Sequence, residues 1–359
     1  MKALALVDGP DHVCCRYRIR PFGPALARAG WELAIEGIAR GTLARRRQLG
    51  GAGRYDSVIL QRKLLSGWEF DRLRGAARRL VFDFDDAVFW RDSFHPKGQQ
   101  SRSRWERFAR TVRQADAVMA GNDFLAARAL LAGASVAAVC RIPTCVDPSA
   151  YSIREHGEGD AIRLVWIGSS STLRGMEARR SLWDRIGREV PGVRLRVICD
   201  RKPELGAMPV EFEPWSERTE AAALAGCDAG IAWMPDDLWS RGKCGLKVLQ
   251  YLAAGLPVVA NPVGVHAEMV EPGVSGFLPG SDEAWLDAVS RLAADVSLRR
   301  RMGREARARV EREYAVDRWE ERVVAAVAGP SATAAARPHL GSVVDAGAMP
   351  SGRTGGAAR

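Results

Sequence analysis

No apolar run in the chain approaches the roughly 18–20 residues that a membrane-spanning helix needs, which excludes a spanning helix. The opening MKALALVD is too short for a secretory leader and is expected to form a first strand. Cysteine is sparse and odd in number, with seven residues. Cys14 and Cys15 are adjacent, and no pair has zinc-ligand spacing with histidine support, which argues against a disulfide framework or a zinc centre. The thiols are expected to be reduced and the protein cytosolic. His95 stands alone in a polar loop and is expected at the surface. No period of 20–50 residues recurs, which excludes a solenoid.

What is present suits a two-domain globular protein. A length of 359 residues exceeds one ordinary domain. The net charge of +10 is uneven: residues 1–110 hold 22 Lys/Arg against 12 Asp/Glu, and the remainder hold 31 of each. The whole surplus therefore lies in the first part of the chain. Such a face is either a solvated arginine-rich surface or a seat for an anionic partner such as lipid, nucleic acid or a phosphorylated acceptor. The aromatic residues there are not spaced as a stacking platform, which counts against nucleic acid.

Short apolar strands are expected at Ala3–Val7, Leu33–Ile35, Ser57–Gln61 and Leu80–Phe84. A helix is expected from near Pro21 to Gly30. Arg16, Arg18 and Arg20 would then lie just before it, at the carboxyl edge of the first strand, where open α/β sheets bind ligands. They form either a phosphate grip or a surface cluster. Further on, the run FDFDDAVF would point Asp83 and Asp85 one way along a strand and Asp86 the other. An Asp-x-Asp after an apolar strand suits a haloacid-dehalogenase-type Mg-dependent phosphatase, with Asp83 as nucleophile and Asp85 as acid. The later lysine and acidic pair of such enzymes are not evident. A sugar-nucleotide metal site of Asp-x-Asp kind, or a simple helix cap, are further readings.

The most informative stretch is RGKCGLKVLQYLAAGLPVVANPVGVHAEMVEPGVSGFL, residues 241–278. Gly245 opens a helix, Leu246, Leu249, Leu252 and Ala253 recur at helical spacing, and Gly255 with Pro257 ends it. Val258, Val259 and Ala260 suit a buried parallel strand. Lys243 and Lys247 bracket Gly245, and unpaired amides at a helix start attract anions. Lys243, Cys244, Gly245, Leu246 and Lys247 together make a diphosphate cradle. The alternative is an ordinary amphipathic helix with two solvated lysines.

This stretch resembles the donor-binding region of glycosyltransferase family 4, retaining nucleotide-sugar transferases of GT-B fold. LKVLQYLAAGLPVVA, PVGVHAEMV and EPGVSGFL match the family's helix, strand, loop and turn. The family carries a Glu, seven residues and a second Glu at the start; here Gly242 and Gln250 stand at those positions. A Gln250 amide retains hydrogen bonds for ribose hydroxyls. The family's Gly-Arg and Lys-Gly after the first strand of the second domain correspond to Gly168-Ser169 and Arg174-Gly175, so Arg174 keeps one cation while Ser169 and Ser170 offer neutral hydrogen bonds. The resemblance also aligns VFDFDD with a strand ending in His-Asp, placing Asp85 at the acceptor-side histidine and Asp86 at the aspartate.

The resemblance implies two Rossmann-like α/β domains facing across a cleft, with an acceptor domain at 1–152, a linker at 153–161, and a donor domain at 162–312. A crossover helix at 313–328, anchored by Trp319, would return to the first domain. From 329 to 359 the composition turns to Ala, Gly, Ser and Pro, and disorder is expected. The implied chemistry is metal-independent transfer of a sugar from a nucleotide-diphosphate donor, a co-substrate and not a cofactor, to an acceptor hydroxyl. Arg174 and Lys247 would stabilise the leaving diphosphate, and Asp85 would orient or deprotonate the hydroxyl. Arg16, Arg18, Asp86, Gly168 and Gln250 complete the expected substrate contacts. An inactive GT-B protein that binds anionic surfaces, peripherally on a membrane, is the other outcome these departures allow.

Overall fold

The computed structural model describes residues 1–157 and 161–329. The expected disordered tail lies outside the described residues from 330 onward, as do residues 158–160 of the expected linker. The chain forms two six-stranded sheets. The first contains β1 (Lys2–Val7), β2 (Glu32–Gly37), β3 (Ser57–Gln61), β4 (Leu80–Phe84), β5 (Ala117–Ala120) and β6 (Val139–Arg141), in the order β2-β1-β3-β4-β5-β6. The second contains β7 (Ile162–Ile167), β8 (Val193–Cys199), β9 (Val210–Pro214), β10 (Ala229–Ala232), β11 (Val258–Ala260) and β12 (Gly276–Phe277), in the order β12-β11-β10-β7-β8-β9. Every strand pairs in parallel with its neighbours. Every residue of β3, β4 and β5 is buried, as expected of short apolar strands covered on both faces.

In the second sheet the strand order reverses between β7 and β10. At such a point the connections leave in opposite directions and open a crevice beyond the carboxyl ends of the strands. The two strands pair only at Ala229 with Leu164 and Gly230 with Val165. Beyond that they part, and the buried Tyr251 hydroxyl fills the gap. It accepts from the Ile167 amide at 3.0 Å and donates to the Ile231 carbonyl at 3.3 Å, so neither backbone group is orphaned. A Cβ at Gly230 would lie 2.2 Å from the Tyr251 ring, so only glycine admits it.

Two passages join the lobes side by side. Val146 accepts from Val316 at 3.1 Å and donates to the Tyr314 carbonyl at 3.0 Å. The last described helix, Glu320–Ala328, then packs Val323, Ala326 and Val327 onto Ala3, Ile59 and Val81 of the first sheet. The chain thus returns to its first lobe, with Trp319 donating to the Glu313 carbonyl at 2.8 Å.

Two local expectations are corrected. The helix expected from Pro21 begins earlier, as Val13–Arg18, followed by a single 3-10 turn Arg20–Phe22 and a helix Gly23–Arg28. The His12 ring caps the first helix by accepting from the Cys14 amide at 3.3 Å, and Pro21 starts a new turn instead of the whole helix. Asp83 and Asp85 do not share a strand face either, because β4 ends at Phe84. Asp83 is wholly buried in the sheet, whereas Asp85 and Asp86 lie on the loop beyond it.

Candidate functional site

The helix Leu246–Ala253 starts at the crevice beside β7 and β10. Gly245 caps it in a left-handed conformation, φ +63°, with no side chain bonded to the first amides. A Cβ there would lie 2.6 Å from Met269 Sδ and 3.0 Å from Val265, so conformation and packing both demand glycine. Lys247, in the first turn, sets its ammonium 4.2 Å from the ring centroid of Trp166, whose side chain is fully buried in β7. Burial first, and the Lys243 charge second, bring Lys247 down from the ordinary lysine value to about 7. Gly168 shares this environment, since a Cβ on it would lie 2.7 Å from the same indole.

The serines after β7 are differently engaged. The Ser170 amide donates to Asp200 Oδ1 at 2.6 Å, and the Ser169 and Ser171 hydroxyls bond each other at 2.8 Å. The Gly168 amide donates to the Ile198 carbonyl. The backbone amides of Gly168 and Ser170, two of the expected phosphate contacts, are thus bonded within the lobe. Arg174 projects from the helix Ser170–Glu177 into solvent and has no ion pair among the described residues.

Residues 240–244 form a seam with the first lobe. Lys243 Nζ lies 2.9 Å from Asp86 Oδ2 and 3.5 Å from the Trp239 ring centroid. Asn122, at the end of β5, donates to the Lys243 carbonyl at 2.9 Å and the Arg241 carbonyl at 3.3 Å. Cys244 is buried in the first lobe's core, and burial pushes its thiol above the ordinary range. Its side chain therefore packs the seam, leaving only its backbone for the expected substrate contact. Gly242 sits so close to Ala87 that a Cβ would lie 2.7 Å from the Ala87 Cβ. A glutamate at this position does not fit with the lobes in this arrangement.

Asp85 and Asp86 face this seam. Arg62 holds both, at 3.4 Å and 2.9 Å. It is the single non-glycine residue with positive φ among the described residues, at +58°. A bulky residue in that region is strained and held by its surroundings, a pattern that clusters at functional sites. Burial alone would raise Asp85, but the Arg62 and Arg18 charges outweigh it and hold the carboxyl below its ordinary value. One Asp85 oxygen is buried with no hydrogen-bond partner.

The amino-terminal arginines serve other purposes. Arg18 is buried and grips Asp83 through Nε at 3.0 and 3.1 Å, with Nη1 on the Ile142 carbonyl at 2.8 Å. Asp83 also accepts from Gln61 at 3.1 Å. This corrects both the phosphate grip expected of Arg18 and the nucleophile expected of Asp83: neither group has an open side. Arg16 crosses to the second lobe, bonding Glu220 at 2.8 Å and Glu217 at 2.9 Å. Tyr17 donates to Glu220 at 2.9 Å, and Gln250 donates to the Tyr17 hydroxyl at 3.1 Å. Gln250, expected on a ribose, is thus part of a buried clasp between the lobes.

Sequence reasoning did not single out Arg62, Tyr17, Glu220, Trp166 or His266. His266 is buried next to the cradle, with Nδ1 donating to the Asn261 carbonyl at 3.1 Å. Burial, with a smaller contribution from Lys247, lowers it to about 4, so it is neutral at pH 7. Its position in the quoted PVGVHAEMV run was the one available signal. No group of three or more His, Cys, Asp or Glu is placed to hold a metal among the described residues, and no described helix is long and apolar enough to cross a membrane.

Residues 154–295 match the family described as Glycosyl transferases group 1. No curated protein matches the sequence. Among solved structures, sucrose-phosphate synthase from Thermosynechococcus elongatus matches with a TM-score of 0.68 at 16% identity, over 90% of this chain and 96% of that one. Anabaena HepE in complex with UDP and glucose matches with a TM-score of 0.67 at 15% identity, over 91% and 99%. WaaG, a glycosyltransferase involved in lipopolysaccharide biosynthesis, gives 0.65 at 16% identity, over 92% and 100%. The chain has the GT-B fold of those glycosyltransferases, two parallel-sheet α/β lobes, and the match to the group 1 glycosyl transferase model falls mainly on its second lobe.

Proposed function

We propose that this protein transfers a sugar from a nucleotide-diphosphate donor to an acceptor hydroxyl, with retention at the anomeric carbon and without a metal, in the manner of family 4. The observation that carries the reading is Lys247 at the uncapped start of the helix Leu246–Ala253, at the crevice where the second sheet reverses. HepE has been captured with UDP and with UDP-glucose, which favours a uridine diphosphate donor here too.

Breaking the sugar–phosphate bond builds negative charge on the leaving oxygen. The groups that meet it must be fixed beforehand and favour the charged product. Lys247 does so from a desolvated seat, the open amides of its helix add their dipoles, and Arg174 closes from the solvent side. Lys243 leaves Asp86 for the diphosphate when donor enters, which releases Asp86 toward the acceptor. The carboxylate missing at Gly242 is thereby offset from the opposite lobe by Asp85 and Asp86. Asp85 is held too acidic to be a strong base near neutrality, so its work is chiefly to orient the acceptor hydroxyl.

The test is a screen of nucleotide diphosphates and their sugars for thermal stabilisation, followed by product analysis with the best donor. A protein stabilised by none of them overturns the reading. Within it, Asp85→Asn should lower kcat by roughly 10²-fold while leaving nucleotide stabilisation unchanged. A parallel loss of nucleotide binding would move Asp85 out of the acceptor role.

A further inference from the structure

A basic cavity lies where the helix Leu246–Ala253 ends and the chain crosses between the lobes. It encloses about 480 Å³, within the range of small-molecule sites. Its floor is backbone. A Cβ on Gly303 would lie 2.3 Å from the Gly255 carbonyl, and Gly255 itself has φ +67°, so no side chain fills the space between them. Among the described residues its walls carry Arg154, Arg300 and Arg304 against one acid, Glu155. Among the described residues Arg300 uses only Nε, donating to the His156 carbonyl at 2.8 Å. Arg304, one turn further on the same helix face, is exposed and has no partner among the described residues. Arg154 is braced from behind by Asp228 at 3.1 Å. His156 is buried, turns Nε2 to the Gly255 carbonyl at 3.2 Å and faces Asp228 Oδ1 with Nδ1 at 3.7 Å. Ile153, 55% exposed, adds an apolar wall.

We infer that this cavity binds a small phosphorylated molecule, of sugar-phosphate or mononucleotide size, at a site separate from the diphosphate cradle. Two guanidinium forks with free terminal nitrogens, four residues apart on one helix, match the planar recognition of phosphate oxygens. The apolar wall and a volume well beyond that of a bare phosphate ask for an organic remainder. Occupancy would tie the helix Val296–Glu313 to residues 153–157, the segment that leads from one lobe to the other. That segment already touches the cradle helix: the Arg154 amide donates to the Ala254 carbonyl at 2.9 Å.

The experiment uses the full chain carrying Lys247→Ala, which silences the cradle. Glucose 6-phosphate, inorganic phosphate and glucose are titrated calorimetrically at low salt. Glucose 6-phosphate should bind with one-to-one stoichiometry, inorganic phosphate more weakly, and glucose not at all. Adding Arg300→Ala and Arg304→Ala should weaken glucose 6-phosphate by at least about tenfold. Both side chains are exposed, so the melting temperature should hold. Hydrogen exchange at the amides of residues 153–157 should slow when glucose 6-phosphate is bound. Absence of binding by both phosphorylated probes, or equal affinity after the two arginines are removed, overturns the site. Unchanged exchange overturns its tie to the crossing segment. None of these outcomes depends on glycosyl transfer, because the cradle is already disabled.

Discussion

Replacing Lys247 with alanine is expected to abolish stabilisation by nucleotide diphosphates while making the free protein no less stable. In the folded chain the ammonium is desolvated over Trp166 and its pKa falls to about 7. The unfolded chain holds that proton up to the ordinary lysine value. Between those limits the unfolded state binds more protons, so the free protein gains stability as pH rises through the window, and below about 7 it carries the cost of a partly desolvated charge. Alanine removes that cost. A bound diphosphate reverses the preference by giving the charge a partner. Nucleotide binding should therefore take up a proton above pH 7, and affinity should fall by up to about tenfold per pH unit between roughly 7.5 and 9.5. Lys247→Arg, always charged, should bind with little pH dependence in that window. In turnover, loss of one preorganised cation at the leaving group costs about 10²–10³-fold in kcat. A Lys247→Ala protein that binds UDP as tightly as the parent removes the cradle, and with it the donor site.

Much of this arrangement was legible in the order of residues. Short all-apolar runs announced the central strands. Gly255 with Pro257 marked the end of the cradle helix, and Gly245 marked its start, because left-handed backbone and close packing restrict those positions to glycine. What remained hidden was pairing across long separations. Arg18 meets Asp83 65 positions later, and Gln250 meets Tyr17 233 positions earlier. No local pattern distinguishes an arginine that will grip a phosphate from one that will be buried on a carboxylate. The choice is made by which strand end the folded sheet brings alongside. Lys247 shows the same limit in reverse. Its spacing from Gly245 suggested an anion site, but its depressed pKa comes from burial and the Lys243 charge and could only come from the assembled lobe. Gly242 reads in sequence as a lost acid; in the fold it is what lets the seam residues lie against Ala87.

Arg18→Met should be the most damaging substitution to stability, and for a reason opposite to that of Lys247→Ala. Arg18 is 3% exposed and Asp83 wholly so enclosed, at 0%. The guanidinium meets both carboxylate oxygens and the Ile142 carbonyl, and Gln61 completes the set. Burial pushes Asp83 toward protonation, and Arg18 is the chief opposing charge. Removing the arginine leaves a buried carboxylate uncompensated, a loss of about 3–5 kcal/mol. For a chain of this size that lowers Tm by roughly 4–7 °C, measurable by scanning calorimetry of the free protein. The double variant Arg18→Met, Asp83→Leu should recover much of the loss, since a buried pair replaced by apolar groups of similar volume is often neutral. The remaining Gln61 amide, still bonded to the Cys14 carbonyl at 3.2 Å, limits the penalty of the second change. Nucleotide affinity at a temperature where both variants are folded should match the parent. A phosphate-gripping Arg18 would give the reverse result, with weak binding, an unchanged Tm and no recovery in the double variant.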